Sequence, residues 1–276
     1  MPGNKFNEAK KYPAKLLLVG EYTVLSGGTA LGLPYPGFSA SWSRQDSPDA
    51  RLSAFLNYLL RDHSLAALLD LDRFDVDLNA GLYLESNIPA SSGLGSSGSV
   101  VAAVWDRYGR KNQESPEELK RLFAVMESFF HGNSSGLDPL IIYLNKPVVS
   151  RQGILTLPSQ DIPLIVEQYH ITLMNSGIPR STRDWVELFK VKMEDPEFKR
   201  PFEEELMPAN EDLIQSLLQN NFESVIPHWK RVSRFQIEKM PEFIPPAILA
   251  DWSGPSHFFK LCGAGGGGFY LKMTIL

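Results

Sequence analysis

The residues best placed to do chemistry lie in the stretch 86–104, SNIPASSGLGSSGSVVAAV. A strand-like run, 81–85, leads into a loop of glycines and serines, and an apolar run of helical character, 99–104, follows directly. Gly93, Gly95 and Gly98 let backbone N–H groups approach a ligand closely. The serines add hydroxyl donors, and a helix N-terminus behind them contributes partial positive charge. Strand, glycine loop and helix together make a site for phosphate. The spacing is neither Gly-x-Gly-x-x-Gly nor the Walker A pattern, and no lysine closes the loop, which argues against a dinucleotide fold and an ordinary Walker NTPase. The same residues could also form no more than a flexible surface loop capping a core helix.

A second polar constellation is 131–139, HGNSSGLDP. Ser134, Ser135 and Gly136 make a tight loop, and Asp138-Pro139 reads as a helix cap followed by a first-turn proline. The helix before it starts at Ser115-Pro116-Glu117-Glu118, a capping box with proline in first position. Its apolar stripe is Leu119, Leu122, Phe123, Met126, Phe129 and Phe130, with Glu127 beside it. On residue type alone each has a plain structural reading. Asp138 is then a cap, Glu127 a solvated helix residue, Lys15 a strand-end charge, and Arg180 and Arg183 surface cations.

The elements that must position these groups begin with a buried strand at 15–19, then Gly20-Glu21-Tyr22 and a second run from Thr23. Gly27-Gly28 is a turn, and 29–33 and 38–42 read as two further strands. Leu52, Phe55, Leu56, Leu59 and Leu60 recur at helical spacing within 48–62. Phe74, Val76 and Leu78 alternate with polar neighbours, so 74–78 reads as a strand whose hairpin with 81–85 feeds the glycine loop. Residues 147–163 are rich in Pro, Ser and Gly and mark the domain boundary, giving domains 1–155 and 156–276. The second half opens with a strand at 169–174 and a polar loop at 175–183. Helices follow at about 182–193, 197–206, 210–219 and 222–240. Two closing apolar runs, 258–262 and 269–275, bracket Gly263–Gly268, a turn that approaches a ligand or another backbone.

The chain has 276 residues and a formal net charge of −5 with no basic block, which argues against a nucleic-acid surface. Its first fifteen residues lack the apolar core of a secretory signal, and no uncharged apolar run reaches the roughly 18 residues a membrane span needs. The single Cys262 excludes an internal disulfide and fits a reducing, cytoplasmic compartment. The five histidines are scattered, so a zinc site is not expected. Trp105 and Phe129 read as core.

Residues 89–97, PASSGLGSS, resemble the phosphate-binding motif of the GHMP kinases, with Ser91 where that superfamily usually has Gly. Residues 15–25, KLLLVGEYTVL, resemble its first motif. GAGGGG at 263–268 looks like its third, which braces the nucleotide loop from the C-terminal domain. HGNSSGLD at 131–138 is similar to the His-Gly-Asn-Pro-Ser-Gly-x-Asp segment of the mevalonate kinase branch, with Ser134 in place of Pro, and NSGIPRSTR at 175–183 to its substrate loop.

The resemblance implies an α+β fold of two domains: an N-terminal β-α-β domain with a left-handed crossover and a C-terminal ferredoxin-like sheet covered by helices. It implies an ATP-dependent, Mg²⁺-requiring kinase of a small alcohol. Pro89, Ser92, Gly93, Leu94, Gly95, Ser96 and Ser97 would then hold phosphates, and Ser97 and Glu127 would ligate Mg²⁺. Asp138 matches the catalytic aspartate, with Lys15 as its partner. Glu21, Tyr22, Arg180, Thr182 and Gly265 fall at substrate-side positions. The partner expected is mevalonate or a related hydroxy acid, with neither nucleic acid nor membrane involved, and the protein a monomer or homodimer. Glu21-Tyr22 is the form seen in phosphomevalonate kinases rather than Gly-Glu-His, so phosphomevalonate or another alcohol of the superfamily is the alternative. The related decarboxylases share a similar loop but lack the first motif with its lysine. A non-catalytic sensor should have lost Asp138, Glu127 or Ser97, and none is lost.

Overall fold

The computed structural model describes residues 10–110, 114–178 and 182–275, apart from the side chains of His131, Thr182, Arg183 and Phe222. The fold is α+β with antiparallel sheets. Internal contacts sort the chain into two compact units. One comprises 1–15, 34–88 and 95–145, the other 16–33, 89–94 and 146–276. A single cut after residue 155 is the simpler expectation. Each of these units takes in several separate stretches of the chain.

In the first unit the elements are strand β1 (Lys11–Val19), shared with the second unit, the long strand β2 (Thr29–Arg44), helices α1 (Ala50–Arg61), α2 (His63–Leu68) and α3 (Leu71–Asn79), strand β3 (Leu82–Ser86), and helices α4 (Ser96–Tyr108), α5 (Pro116–His131) and α6 (Leu137–Leu144). The far half of β2 pairs antiparallel with β3, Ala40 opposite Ser86 and Arg44 opposite Leu82. Its near half pairs with a strand of the second unit, over Thr29–Gly32. Pro34 and Pro36 fall between the two paired stretches, where a missing N–H costs no bond to either partner. The two strands expected there are one, and β1 pairs with β2 as well.

Residues 74–78 are helical rather than the expected strand. Asp70 accepts a hydrogen bond from the Arg73 N–H and caps α3. Phe74 and Leu78, four apart, are buried while Val76 is exposed, so the sequence alternates but the burial follows a helix face. Helix α4 is buried on nearly every side from Ser97 to Trp105. Its Ala102 and Ala103 meet Tyr12 and Ile142, with Trp42, Leu84 and Tyr143 packed around them. Both halves of the capping box expected at Ser115 and Glu118 are present at the start of α5.

Gly136, at φ +71°, is the N-cap of α6. A Cβ there would lie 2.0 Å from the Lys120 carbonyl oxygen and 2.7 Å from the Ala124 nitrogen, both on α5. Gly136→Ala should cost about 2–5 kcal/mol, the sum of overpacking and left-handed strain. Gly132, at φ +74° with open space for 4 Å around the position a Cβ would take, isolates the strain alone. Thermal melts should show Gly132→Ala as much the milder change; equal losses would mean α6 does not press on α5.

The second unit continues with strands β4 (Val148–Arg151) and β5 (Ile154–Thr156), helix α7 (Ile162–Gln168), strand β6 (Ile171–Asn175), helices α8 (Thr182–Glu194), α9 (Pro196–Pro201), α10 (Met207–Leu218), α11 (Phe222–Lys239) and α12 (Pro246–Leu249), and strands β7 (Ser253–Gly254), β8 (His257–Leu261) and β9 (Phe269–Thr274). The stretch expected as a linker is therefore the β4–β5 hairpin, added to β2 at Thr29–Gly32. The run from Thr23 is a short 3-10 turn. The last four strands form an antiparallel sheet in the order β6-β9-β8-β7, with α11 against β8 and α10 against α11. Among the described residues no helix is long and apolar enough to cross a membrane.

Candidate active site

Strand β3 delivers the chain to the glycine loop. Asn87 fixes the exit, its side chain accepting from the Ser39 N–H at 2.7 Å and its own N–H donating to the Ser39 carbonyl. Beyond it Ser91, Gly93 and Gly95 all take positive φ, +54°, +78° and +81°. The left-handed backbone at Ser91 is a physical reason for glycine to be usual there. Gly95 is the N-cap of α4 and offers no side-chain cap, so the first-turn N–H groups remain donors for something else. A Cβ on Gly95 would meet the Lys15 Cγ at 2.8 Å. The missing side chain lets β1 bring Lys15 against the head of the helix.

Four further side chains converge there within the same unit. Ser97, in the first turn of α4, donates its hydroxyl to Glu127 Oε1 at 2.7 Å. Ser134 donates to the other oxygen, Oε2, at 2.5 Å, and accepts from the Gly136 N–H. Ser134, the departure from the mevalonate kinase motif, thus gives the carboxylate its second hydroxyl. Glu127 is buried rather than a solvated helix residue. Burial pushes its carboxyl above the usual range and the neighbouring Asp138 charge adds to that, against the two hydroxyls and Lys15.

Asp138 lies in the first turn of α6 but does not cap it, since the N-cap is Gly136. Its Oδ2 instead pairs with Lys15 Nζ at 2.9 Å, with the lysine side chain 12 % and the aspartate 32 % exposed. Gly98 supplies the closeness: a Cβ there would sit 3.2 Å from Asp138 Cβ. A lysine–aspartate pair and a hydroxyl-bound carboxylate therefore flank one helix N-terminus.

Comparison with known proteins bears on this arrangement. Residues 57–146, which hold the glycine loop, Glu127, Ser134 and Asp138, match the family described as GHMP kinases N terminal domain. The mevalonate kinase of Pyrococcus horikoshii is 24% identical over 300 residues, covering 93% of this chain and 85% of that protein. Among solved structures, Methanococcus jannaschii mevalonate kinase superposes with a TM-score of 0.61 at 15% identity, covering 99% of this chain and 92% of that one. Streptococcus pneumoniae phosphomevalonate kinase, solved with phosphomevalonate and AMPPNP, gives 0.62 at 18%, covering 97% and 92%. The chain has the fold of these kinases.

Lys15 precedes the matched GHMP kinase domain in sequence, and the expected substrate-side residues are spread on either side of it. Arg180 lies outside the described residues, as does the side chain of Thr182. Glu21 and Tyr22 are in the second unit and are buried against protein. The Tyr22 hydroxyl donates to the Ala264 carbonyl at 2.6 Å, and its ring packs between Phe189 and Phe243. Gly265 lies against the Phe243 carbonyl, which a side chain would strike at 2.5 Å. Glu21 accepts from Lys260 Nζ at 2.5 Å, both side chains essentially inaccessible. Burial pushes the Glu21 carboxyl up, and the Lys260 charge opposes it. Sequence reasoning missed Lys260. Its signal was a charged residue inside the apolar run 258–262, a placement that calls for a buried counter-charge.

Proposed function

We propose that the chain is an ATP-dependent kinase that transfers the γ-phosphoryl group of ATP to the primary alcohol of mevalonate. The observation that carries this reading is the pair Lys15–Asp138 beside Ser97–Glu127–Ser134 at the N-terminus of α4. Phosphoryl transfer needs the triphosphate held, its charge offset and a hydroxyl placed in line. The loop 89–97 holds the phosphates through backbone N–H groups and the hydroxyls of Ser92 and Ser96. Asp138 accepts the proton of the substrate hydroxyl as that oxygen bonds to phosphorus and the bond to the ADP leaving group breaks. Lys15 orients the carboxylate and offsets charge on the transferring group.

Ser97 and Glu127 fit a Mg²⁺ site: one hydroxyl and one carboxylate, hard oxygens that leave room for water and phosphates. No group of three His, Cys, Asp or Glu forms a metal cage among the described residues, so such a cation would share its ligands with the nucleotide. When bound it neutralises triphosphate charge. The raised Glu127 carboxyl suits that use, since burial has left it short of positive charge. A carboxyl held above its unfolded value stabilises the fold fully below that value, and the stability is lost as pH rises through the folded one. Glu127→Gln should therefore raise the melting temperature of metal-free protein at pH 7 more than at pH 4, and raise the Mg²⁺ concentration needed for turnover. The assignment is lost if neither measurement moves.

Mevalonate is favoured by the 131–138 and 175–183 segments and by the similarity to mevalonate kinases over most of the chain. Arg180 supplies a cation for the acid group and Thr182 a hydroxyl, and motif order sets Gly265 on the substrate side. Gly-Glu-Tyr at 20–22 is the feature that favours phosphomevalonate as the second reading. An ADP-release assay with mevalonate, phosphomevalonate, homoserine and galactose, run side by side, decides between them; no turnover with any of the four would refute the kinase reading.

A further inference from the structure

Lys260 is a fully buried ammonium, on a strand, 239 residues from its partner Glu21. Beyond the carboxylate it donates to the Leu261 carbonyl at 2.9 Å and lies over the face of Trp229 from α11. Such a pair is poor evidence of stability for its own sake, because apolar side chains of the same volume usually do as well. What it adds is direction, since both charges must sit where their few partners are.

Apart from Trp229, those partners belong to two segments. The Gly263 N–H also favours the charged Glu21 carboxylate. Immediately after Glu21, Tyr22 holds a left-handed backbone at φ +64° while its hydroxyl reaches Ala264. On the other side, the Leu261 N–H donates to the buried Gln236 side chain at 2.9 Å. The tip of the glycine loop is tied separately: Gly266 N–H to the Phe243 carbonyl, and Gly268 N–H to the Ile178 carbonyl at the start of the 175–183 segment. Trp185 of α8 fills the space a side chain at 266 would take. The stem of the loop is thus tied to the 20–22 turn by one ion pair and one tyrosine.

We propose that Lys260 is a positioning residue: through Glu21 it locks the 20–22 turn to the stem of the 263–268 loop, and so sets the backbone of a segment the kinase reading places at the active site. The assignment of a role in turnover rests on that reading; the lock itself does not. The test is the double variant Glu21→Met/Lys260→Met, which removes both charges and keeps the volume. It should melt near wild type, while amide hydrogen exchange at 263–268 quickens at least tenfold with exchange in α11 unchanged. Turnover should fall about a hundredfold with ATP affinity retained. Equal exchange in the loop at equal melting temperature would overturn the proposal, whatever the turnover. Wild-type protein inactive on all four alcohols would remove only the link to catalysis, because exchange still reads the lock. Should the double variant fail to fold, Tyr22→Phe, which cuts the other tie, carries the same comparison. Unchanged exchange at 263–268 in that variant would likewise overturn it.

Discussion

Asp138→Asn is expected to lower turnover by roughly 10²–10⁴, the usual worth of a positioned general base, with ATP affinity retained. Asparagine keeps the size of the side chain but can neither take the alcohol's proton nor pair as an anion with Lys15. The structural cost should be small. Gly136, not Asp138, is the N-cap of α6, so the helix loses no cap. The broken ion pair is partly exposed, and such pairs contribute on the order of 1 kcal/mol or less. Glu127 keeps both its serine hydroxyls. Melting temperature, nucleotide affinity and turnover measured on this single variant separate the roles. A folded, ATP-binding protein that turns over at near wild-type rate would sink the mechanism.

Lys260→Met should produce the largest loss of stability, and the loss should depend on pH. Removing one partner of a buried pair costs about 3–5 kcal/mol because the other charge is left uncompensated. Here the group left behind is a carboxyl that burial already pushes up, and the variant deletes the ammonium that opposed that push. Its folded value rises further above the unfolded one. Stability is then fully present below the unfolded value and falls as pH climbs through the window between the two. The deficit against wild type should be greatest near pH 8, on the order of 10 °C in melting temperature, and should shrink toward pH 5 as Glu21 takes up a proton. A deficit that is the same at both pH values would mean that Glu21 is not the group left stranded.

Much of the stretch from 86 to 144 was legible because its signals are local. The capping box at Ser115–Glu118, the glycine loop and the 131–138 segment each state their structure within a few residues, and each is present. Alternation misled at Phe74, Val76 and Leu78, where tertiary burial of Phe74 and Leu78 and the Asp70 cap select a helix. Residues 29–33 and 38–42 read as two strands, since a sequence does not reveal that pairing changes partner between Gly32 and Ala40. The site shows the same division. Lys15, Ser97, Glu127 and Asp138 could be named from motif order, whereas the hydroxyl that Ser134 gives to Glu127 depends on how α5 and the next loop meet. Motif order alone sets Glu21 and Tyr22 at substrate-side positions. The groups that claim them, Ala264 and Lys260, lie more than two hundred residues away, beyond the reach of any local rule.

That separation has a consequence for how the protein is made. Residues 16–33 leave the ribosome early, yet what completes them is synthesised late: Asn210 for Thr23, Glu211 for Thr29, Lys260 for Glu21 and Ala264 for Tyr22. At translation rates of about 5–20 residues per second, Glu21 waits roughly 10–50 s for its counter-charge. Through that interval a nascent chain presents an apolar strand and an unmatched carboxylate to its surroundings, a natural stretch for a chaperone to hold until β8 arrives.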